Sequence, residues 1–290
     1  MLKTRPDSAK SDTEAAVGGD GSNGASDESQ TPDLGEMGFL DHLEELRWRI
    51  FKGLGGVVFG IVACLFFYQW IIDVLLLGPA SPDFFMYEIL GLELKEFVIQ
   101  NRTVTGQFFA AIGTVVVVGL LIGAPILIYQ MWAFIEPGLY PHEKSKIRFV
   151  SVFATGFFML GASFGYLIIT PLAVTFFAGF EISPKISNEF DITRYFSLIT
   201  LWSFGAAILF ELPVVVYFLS KLGIVTPALL RRSRKYAIIG ILVIAAFLTP
   251  PDPFTQILMT VPLTLLYEGS ILIAAYSERK RKRELERALE

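Results

Sequence analysis

Residues 104–134 read VTGQFFAAIGTVVVVGLLIGAPILIYQMWAF, a run without one charged side chain. An α-helix needs roughly 20 mostly apolar residues to cross a hydrocarbon layer about 30 Å thick, so this stretch predicts a membrane span. Its end is abrupt. The continuation, QMWAFIEPGLYPHEKSK over 130–146, brings an aromatic-rich segment to Pro137-Gly138 and then to a short polar patch holding Glu143, with Lys144, Lys146 and Arg148 close behind. Two readings compete: a helix end with a solvated loop, or a carboxylate held at the membrane edge to bind something.

The rest of the chain repeats the pattern of the opening stretch. A soluble domain carries about 25% charged residues, whereas this chain has 18% and gathers them in clumps. Long apolar stretches predict six spans, at about 50–72, 104–134, 149–171, 196–219, 236–249 and 254–276. The fold class is therefore an all-α polytopic membrane protein. The fifth apolar run, Tyr236 to Thr249, reaches only about 21 Å at 1.5 Å per residue. The sixth is interrupted by Pro262 and Glu268, so its clean apolar part is short as well. Only PPDP separates the two, which predicts a tight helical hairpin. The single cysteine, Cys64, lies inside an apolar run, rules out an internal disulfide and reads as a packing residue.

Charge places the ends. Arg47, Arg49 and Lys52 precede the first span, and Lys144, Lys146 and Arg148 lie between spans two and three. Lys221, Arg231, Arg232, Arg234 and Lys235 lie between spans four and five with no acid among them, and ERKRKRELER follows the sixth. The alternate connections, 73–103, 172–195 and 250–253, hold only Lys95, Arg102, Lys185 and Arg194 as basic residues. The positive-inside rule then puts both termini in the cytoplasm, in agreement with an even number of spans. Residues 1–36 are rich in Gly, Ser, Asp and Glu, are nearly free of large apolar side chains and predict a disordered acidic tail. They do not read as a signal peptide, because the first apolar run comes only after Arg49. The expected division is a 1–36 tail, a 37–277 membrane domain and a 278–290 charged cytoplasmic tail. Part of connection 73–103 reads as an interfacial amphipathic helix. Asn101-Arg102-Thr103 matches a glycosylation sequon by chance.

Several polar residues stand out against this background. GFLDHLEELRWRI over 38–50 predicts a short amphipathic helix on the cytoplasmic face before span one, with Leu40, Leu43, Leu46 and Ile50 on one side. Runs of charge such as Glu44, Glu45, Arg47 and Arg49 are ordinarily solvated faces. Glu143 fits the first turn of the third helix, where a carboxylate is favoured, two residues after Pro141. Trp132 and Phe134 lie just upstream at the interface. Two carboxylates on one side beside aromatics suit a partner bearing guanidinium groups, which pair bidentately with carboxylates. Glu211 sits in AAILFELPVVV, inside an apolar span, where a charge costs roughly 2.5–3.5 kcal/mol on insertion scales. It should face protein or water rather than lipid. In LTPPDPFTQ, over 248–256, the prolines force a turn, Thr255 is placed to cap the sixth helix, and Thr249 and Gln256 are placed to hydrogen-bond a neighbouring helix. GASFG at 161–165 fits G-x-S-x-G formally, but it falls within an apolar helix rather than a strand–turn–helix elbow, so its small residues read as helix packing. With His42 and His142 the only histidines, no P-loop, no metal-ligand cluster and no nucleophile–base pair is legible, and the chain reads as a non-enzyme without cofactors.

Taken in order, HLEELRWRI, APILIYQMWAFIEPGLYPHEK, FGAAILFELPV, LLRRSRKY and LTPPDPFTQILMTVPLTLLYE resemble the TatC family, the multispanning subunit of the twin-arginine protein translocase. The resemblance covers about residues 38–276 and leaves out the acidic tail. It implies six helices in a curved, glove-like arrangement with cytoplasmic termini and short fifth and sixth spans. It implies a receptor in the inner membrane for twin-arginine signal peptides of folded proteins, working in an oligomeric complex with single-span TatA- and TatB-type subunits. Transport is then driven by the proton-motive force, with no nucleotide hydrolysis and no nucleic-acid partner. By this resemblance Glu45, Glu143 and Phe134 bind the signal, Glu211, Thr249 and Gln256 serve partner helices, and Asp252 belongs to the periplasmic turn. The competing reading from the residues alone is a proton-coupled small-solute transporter using Glu211, which calls for an internal repeat and a continuous polar path.

Overall fold

The computed structural model describes residues 39–135, 147–250 and 252–289. Helix α1 (Phe39–Phe66) is followed by the single turn α2 (Tyr68–Trp70), a π-helical turn (Ile71–Leu76), the short α3 (Phe85–Leu90) and strand β1 (Val98–Gln100). Next come α4 (Gly106–Ile135), α5 (Ile147–Phe164), a π-helical turn (Gly165–Ile169) and α6 (Thr170–Gly179). Strand β2 (Glu189–Asp191) leads into α7 (Ile192–Phe210), α8 (Leu212–Lys221), α9 (Pro227–Leu248) and α10 (Pro253–Leu289). Five stretches are long and apolar enough to cross a membrane: Leu43–Phe66, Gly106–Ile135, Arg148–Gly179, Ile192–Lys221 and Pro253–Lys280. The sixth helix is α9.

The helices are longer than the apolar runs that predict them. The amphipathic segment before span one is no separate surface helix. No Pro or Gly interrupts it, so it continues straight into α1, and the expected end of that span at 72 moves back to Phe66, where Phe67 leaves helical geometry (φ −114°, ψ 18°). Pro171, expected to close the third span, sits instead in the first turn of α6. The preceding π turn absorbs its missing N–H, and Asn188 Nδ2 donates to the Phe177, Ala178 and Phe180 carbonyls at the helix end. Helix α9 begins at Pro227, capped by Thr226, whose hydroxyl accepts from Leu229 N at 3.3 Å. Its 22 residues span about 33 Å. Shortness therefore belongs to the apolar parts of the fifth and sixth helices, because the first turns of α9 carry Arg231, Arg232, Arg234 and Lys235.

Glycine lets the helices approach. A Cβ at Gly119 would lie 2.5 Å from Ile61 Cα, and one at Gly123 would lie 2.6 Å from Val57 Cα, so α1 and α4 pack backbone to backbone. The GASFG segment serves the same end: a Cβ at Gly161 would meet the Ala206 carbonyl oxygen at 2.6 Å. Helix α10 packs against α8 and α9, and α4, α5 and α7 pack against one another. Ser220 Oγ donates to Ala274 O at 3.4 Å and Tyr267 OH to Leu230 O at 2.8 Å, tying α10 to its neighbours.

At the end opposite most of the basic residues, the two long connections meet. Strands β1 and β2 pair in parallel, Val98 opposite Glu189 and Gln100 opposite Asp191, which is a small addition to the expected all-helical fold. Phe97 and Phe190 stack at 4.4 Å. The Tyr166 and Tyr195 hydroxyls donate to the Leu75 and Leu76 carbonyls at 2.7 and 3.1 Å, and Tyr87 OH donates to Pro79 O. Where an amphipathic helix was expected in this connection, only the six-residue α3 forms. Asp191 caps α7 by accepting from Thr193 N and Arg194 N at 3.0 and 3.2 Å. The Arg194 amide, with Arg102 beside it, holds its carboxyl below the usual carboxylate range.

Candidate functional site

The residues singled out in the sequence fall into three places. At the basic end, α1 and α4 run antiparallel. A side chain at Gly60 would press on Gly119, at Gly56 on Ile126 and at Gly53 on Leu127. Continued toward the start of α1, this register sets Glu45 level with the last turn of α4, which carries the half-buried Phe134. Trp132, two residues earlier, packs edge-to-face on Phe218 of α8 (5.6 Å, 84°), which fixes the α4 terminus against the neighbouring helix.

Glu45 is held by Arg49 through one carboxylate oxygen only. Its Oε1 accepts from Arg49 Nη2 at 2.5 Å and Nε at 2.8 Å. Its Oε2 is buried and makes no hydrogen bond among the described residues. The pairing with Arg49 was missed in the sequence although its signal is there, a Glu four residues before an Arg on one helix. Arg49 fixes the rotamer of Glu45 and leaves one oxygen able to accept a further charge-assisted bond. Arg47 pairs with Glu44 at 3.6 Å and its guanidinium lies 5.9 Å from the Trp48 ring centroid, on exposed surface. Glu143, with the Pro137-Gly138 break, lies outside the described residues.

The second place is the junction of α7 and α8. Glu211 stands between them with φ −73° and ψ −8°, two residues before Pro213. Its N–H donates to Ile208 O at 3.1 Å, and its carbonyl accepts from Val214 N and Val215 N at 3.0 Å each. The backbone is thus satisfied across the break. Its side chain is not, because Oε1 is buried with no hydrogen-bond partner among the described residues.

The third place is the α9–α10 turn, at the far end from Glu45. Thr249 is buried and its hydroxyl donates within its own helix to Ala245 O at 2.9 Å. Gln256 Nε2 reaches across the hairpin to Leu242 O at 3.2 Å. The expected cap at Thr255 is instead Asp252, whose Oδ2 accepts from Thr255 N at 2.6 Å. A carboxylate is the stronger acceptor and Asp252 stands one residue before the helix, whereas Thr255 is already inside it and supplies the N–H. Asp252 Oδ1 is buried and makes no hydrogen bond among the described residues. Glu268, which the sequence alone presents as an interruption of the sixth span, pairs with Arg234 at 2.7 Å and so joins the two helices. Among the described residues no group of His, Cys, Asp and Glu could hold a metal ion.

The chain as a whole has clear relatives. The family model of TatC, Sec-independent protein translocase protein, matches residues 41–262. The TatC of Magnetococcus marinus is 39% identical over 243 residues, covering 83% of this chain and 85% of the relative. That of Aquifex aeolicus is 34% identical over 247 residues, covering 85% of this chain and 98% of the relative. Two crystal structures of the twin-arginine translocase receptor TatC, one of them in the detergent DDM, superpose with TM-scores of 0.66 and 0.67. Both are 33% identical in sequence, cover 82% and 80% of this chain, and are themselves covered to 99%. Sequence match and superposition each cover most of the chain, and the protein belongs to the TatC family of Sec-independent protein translocase proteins.

Proposed function

We propose that this chain is the receptor subunit of a twin-arginine translocase, a component of protein transport rather than an enzyme. It binds the arginine pair of a signal peptide on a folded protein at the cytoplasmic end of α1 and α4. Glu45 and Glu143 supply the carboxylates and Phe134 the apolar wall. The observation that supports this reading is the Glu45 carboxylate, oriented by Arg49 and left with one buried oxygen that has no donor among the described residues. An arriving guanidinium supplies that donor. The basic residues around the site do not bar it, because Arg49 is already engaged with Glu45.

In the same reading both termini face the cytoplasm of a cell whose inner membrane holds the complex. TatA- and TatB-type single-span helices dock along Glu211 and the Thr249–Gln256 hairpin, and the proton-motive force drives export. A transporter built on Glu211 finds less support, since no ionisable group pairs with Glu211 among the described residues.

The test is photocrosslinking and binding of a twin-arginine signal peptide and its twin-lysine variant to the membrane-embedded complex. A hydrogen bond to a charged group is worth about 1.5–3 kcal/mol. Glu45→Gln and Glu143→Gln should therefore each weaken the twin-arginine peptide by about ten- to a hundredfold at unchanged protein level. Unaltered affinity in both single variants and in the double variant would rule the site out.

A further inference from the structure

We infer that α3 is a lipid anchor, with Phe85 and Ile89 set in the interfacial layer of the leaflet at the end of the molecule opposite Arg49 and Arg148. Phe85 and Ile89 are 54% and 68% exposed. They stand four residues apart and so share one face of the helix. The other face is fixed to the protein. Met86 and Tyr87 are buried, and the Phe84 ring packs edge-to-face on Tyr87 and Tyr166 at 5.9 and 6.0 Å. Gly91, at φ 63°, ends the helix. With α3 held in this way, its two exposed apolar side chains point away from the helices.

Level and direction select lipid as the occupant. Arg148 opens the stretch Arg148–Gly179, and from there to Tyr166 the rise is about 27 Å at 1.5 Å per residue. Tyr166 therefore stands near the far boundary of a hydrocarbon layer about 30 Å thick. The same rise along α1 from Arg49 reaches the exposed Phe66 and Phe67, with the exposed Trp70 just beyond. Such aromatics mark a membrane boundary, so two helices starting from different arginines give one level. Past Tyr166 the helix continues through its π turn and α6 to Gly179. The Phe84–Tyr166 contact thus lays α3 against the flank of a rod rather than across its top, and the free face points sideways into the bilayer edge. Glu88, exposed beside Phe85, keeps α3 at the polar edge rather than deeper. A protein partner would need more surface. Stable interfaces bury about 1,200–2,000 Å², an aromatic side chain supplies about 150–250 Å² at most, and α3 is bracketed by the exposed acids Asp83 and Glu93. The inference stands on this level and packing, whatever binds at Glu45.

The experiment reads nitroxide labels on the full chain in phospholipid nanodiscs, one introduced cysteine at a time. Cys64 is buried, and the unaltered chain measures its background. Phe85→Cys and Ile89→Cys replace side chains that are already exposed, so neither disturbs the packed core. Phe59→Cys, exposed about 15 Å along α1 from Arg49, is the reference for lipid. Ile182→Cys, exposed beyond the end of α6, is the reference for water. Collision with dissolved oxygen, which concentrates in lipid, should exceed collision with a water-soluble nickel chelate at 85 and 89 as it does at 59, and the order should reverse at 182. Nickel carried on a lipid headgroup should relax the labels at 85 and 89 more than the label at 59. Labels at 85 and 89 that follow the order seen at 182 would place α3 in water. Exclusion of both reagents there would place it under a protein neighbour, and headgroup relaxation no greater than at 59 would place it away from the interfacial layer. Each of these three results would overturn the inference.

Discussion

Gly123→Ala isolates what the α1–α4 contact contributes, because the same helix carries its own control. A Cβ at Gly123 would lie 2.6 Å from Val57 Cα and 2.8 Å from Gly56 O. Carbon atoms rest at about 3.5–4.0 Å, so the helices must separate by about 0.9 Å, and backbone atoms cannot rotate away as a side chain can. Overpacking of this kind costs about 1–3 kcal/mol, and the absence of a flexible neighbour places it in the upper half of that range. Alanine returns about 0.5–1 kcal/mol through its better helix propensity. The net expected effect is destabilisation by about 1–2 kcal/mol. At Gly113, ten positions earlier on α4, an added Cβ meets nothing within 4 Å. Gly113→Ala should therefore stabilise by about 0.5–1 kcal/mol. At roughly 2–4 °C per kcal/mol, thermal melting in detergent should rank Gly113→Ala above the unaltered chain and Gly123→Ala below it. The two variants should differ by about 5–10 °C. Signal-peptide binding should fall with Gly123→Ala although Glu45 and Phe134 are intact, because their common level depends on this contact. Gly123→Ala melting at or above Gly113→Ala would refute the backbone-to-backbone approach.

Deletion of residues 1–36 should leave export unchanged at normal membrane levels, and loss of export from a normally inserted truncation would give the tail a role. Asp252→Ala should cost about 1 kcal/mol through loss of the α10 cap, whereas Asp252→Asn should keep it. Equal melting of the two variants would remove the cap argument. For Glu211, Gln preserves shape and hydrogen bonding while Leu removes both, so export and crosslinking to partner helices should survive Glu211→Gln in large part and fail in Glu211→Leu. Equal failure of both would instead point to proton transfer.

The helices were legible because their signals are local. Apolar length marks the five stretches long enough to cross a membrane, and the small residues of GASFG mark close packing, which the contact of Gly161 with Ala206 bears out, whereas the break at Glu211 falls inside a span read as continuous. Less legible were the ends. Hydropathy follows the lipid, whereas a helix follows its backbone hydrogen bonds. Hence α1 starts before the apolar run, α9 starts under four basic residues, and α6 continues past Pro171. The β1–β2 pairing and the Arg234–Glu268 bridge join residues far apart in sequence, which no local period encodes. In the candidate site the sequence pointed to Glu45 and Phe134 but not to the engagement of Arg49, because a charged face on a membrane-edge helix looks the same whether it is solvated or paired.

Glu211 shows how a break in a spanning helix can be neutral for the backbone and still leave chemistry behind. Pro213 lacks an N–H, so the Leu209 carbonyl loses its ordinary partner four residues on. The Glu211 N–H turns back to Ile208 and Leu209, and Val214 and Val215 share the Glu211 carbonyl. Nothing in the break therefore requires a carboxylate at 211. The side chain makes no cap bond to α8, and its Oε1 finds no donor among the described residues. A buried polar atom without a partner costs about 1–3 kcal/mol, so a leucine here would make the isolated subunit more stable. A proton relay would need a second titratable group within reach, and no ion pair or charged neighbour stands beside Glu211 among the described residues. Among the described residues Glu211 Oε1 has neither a donor nor a charged neighbour, and the proposed function supplies a donor from outside the chain. That is the role expected of a contact for a partner helix.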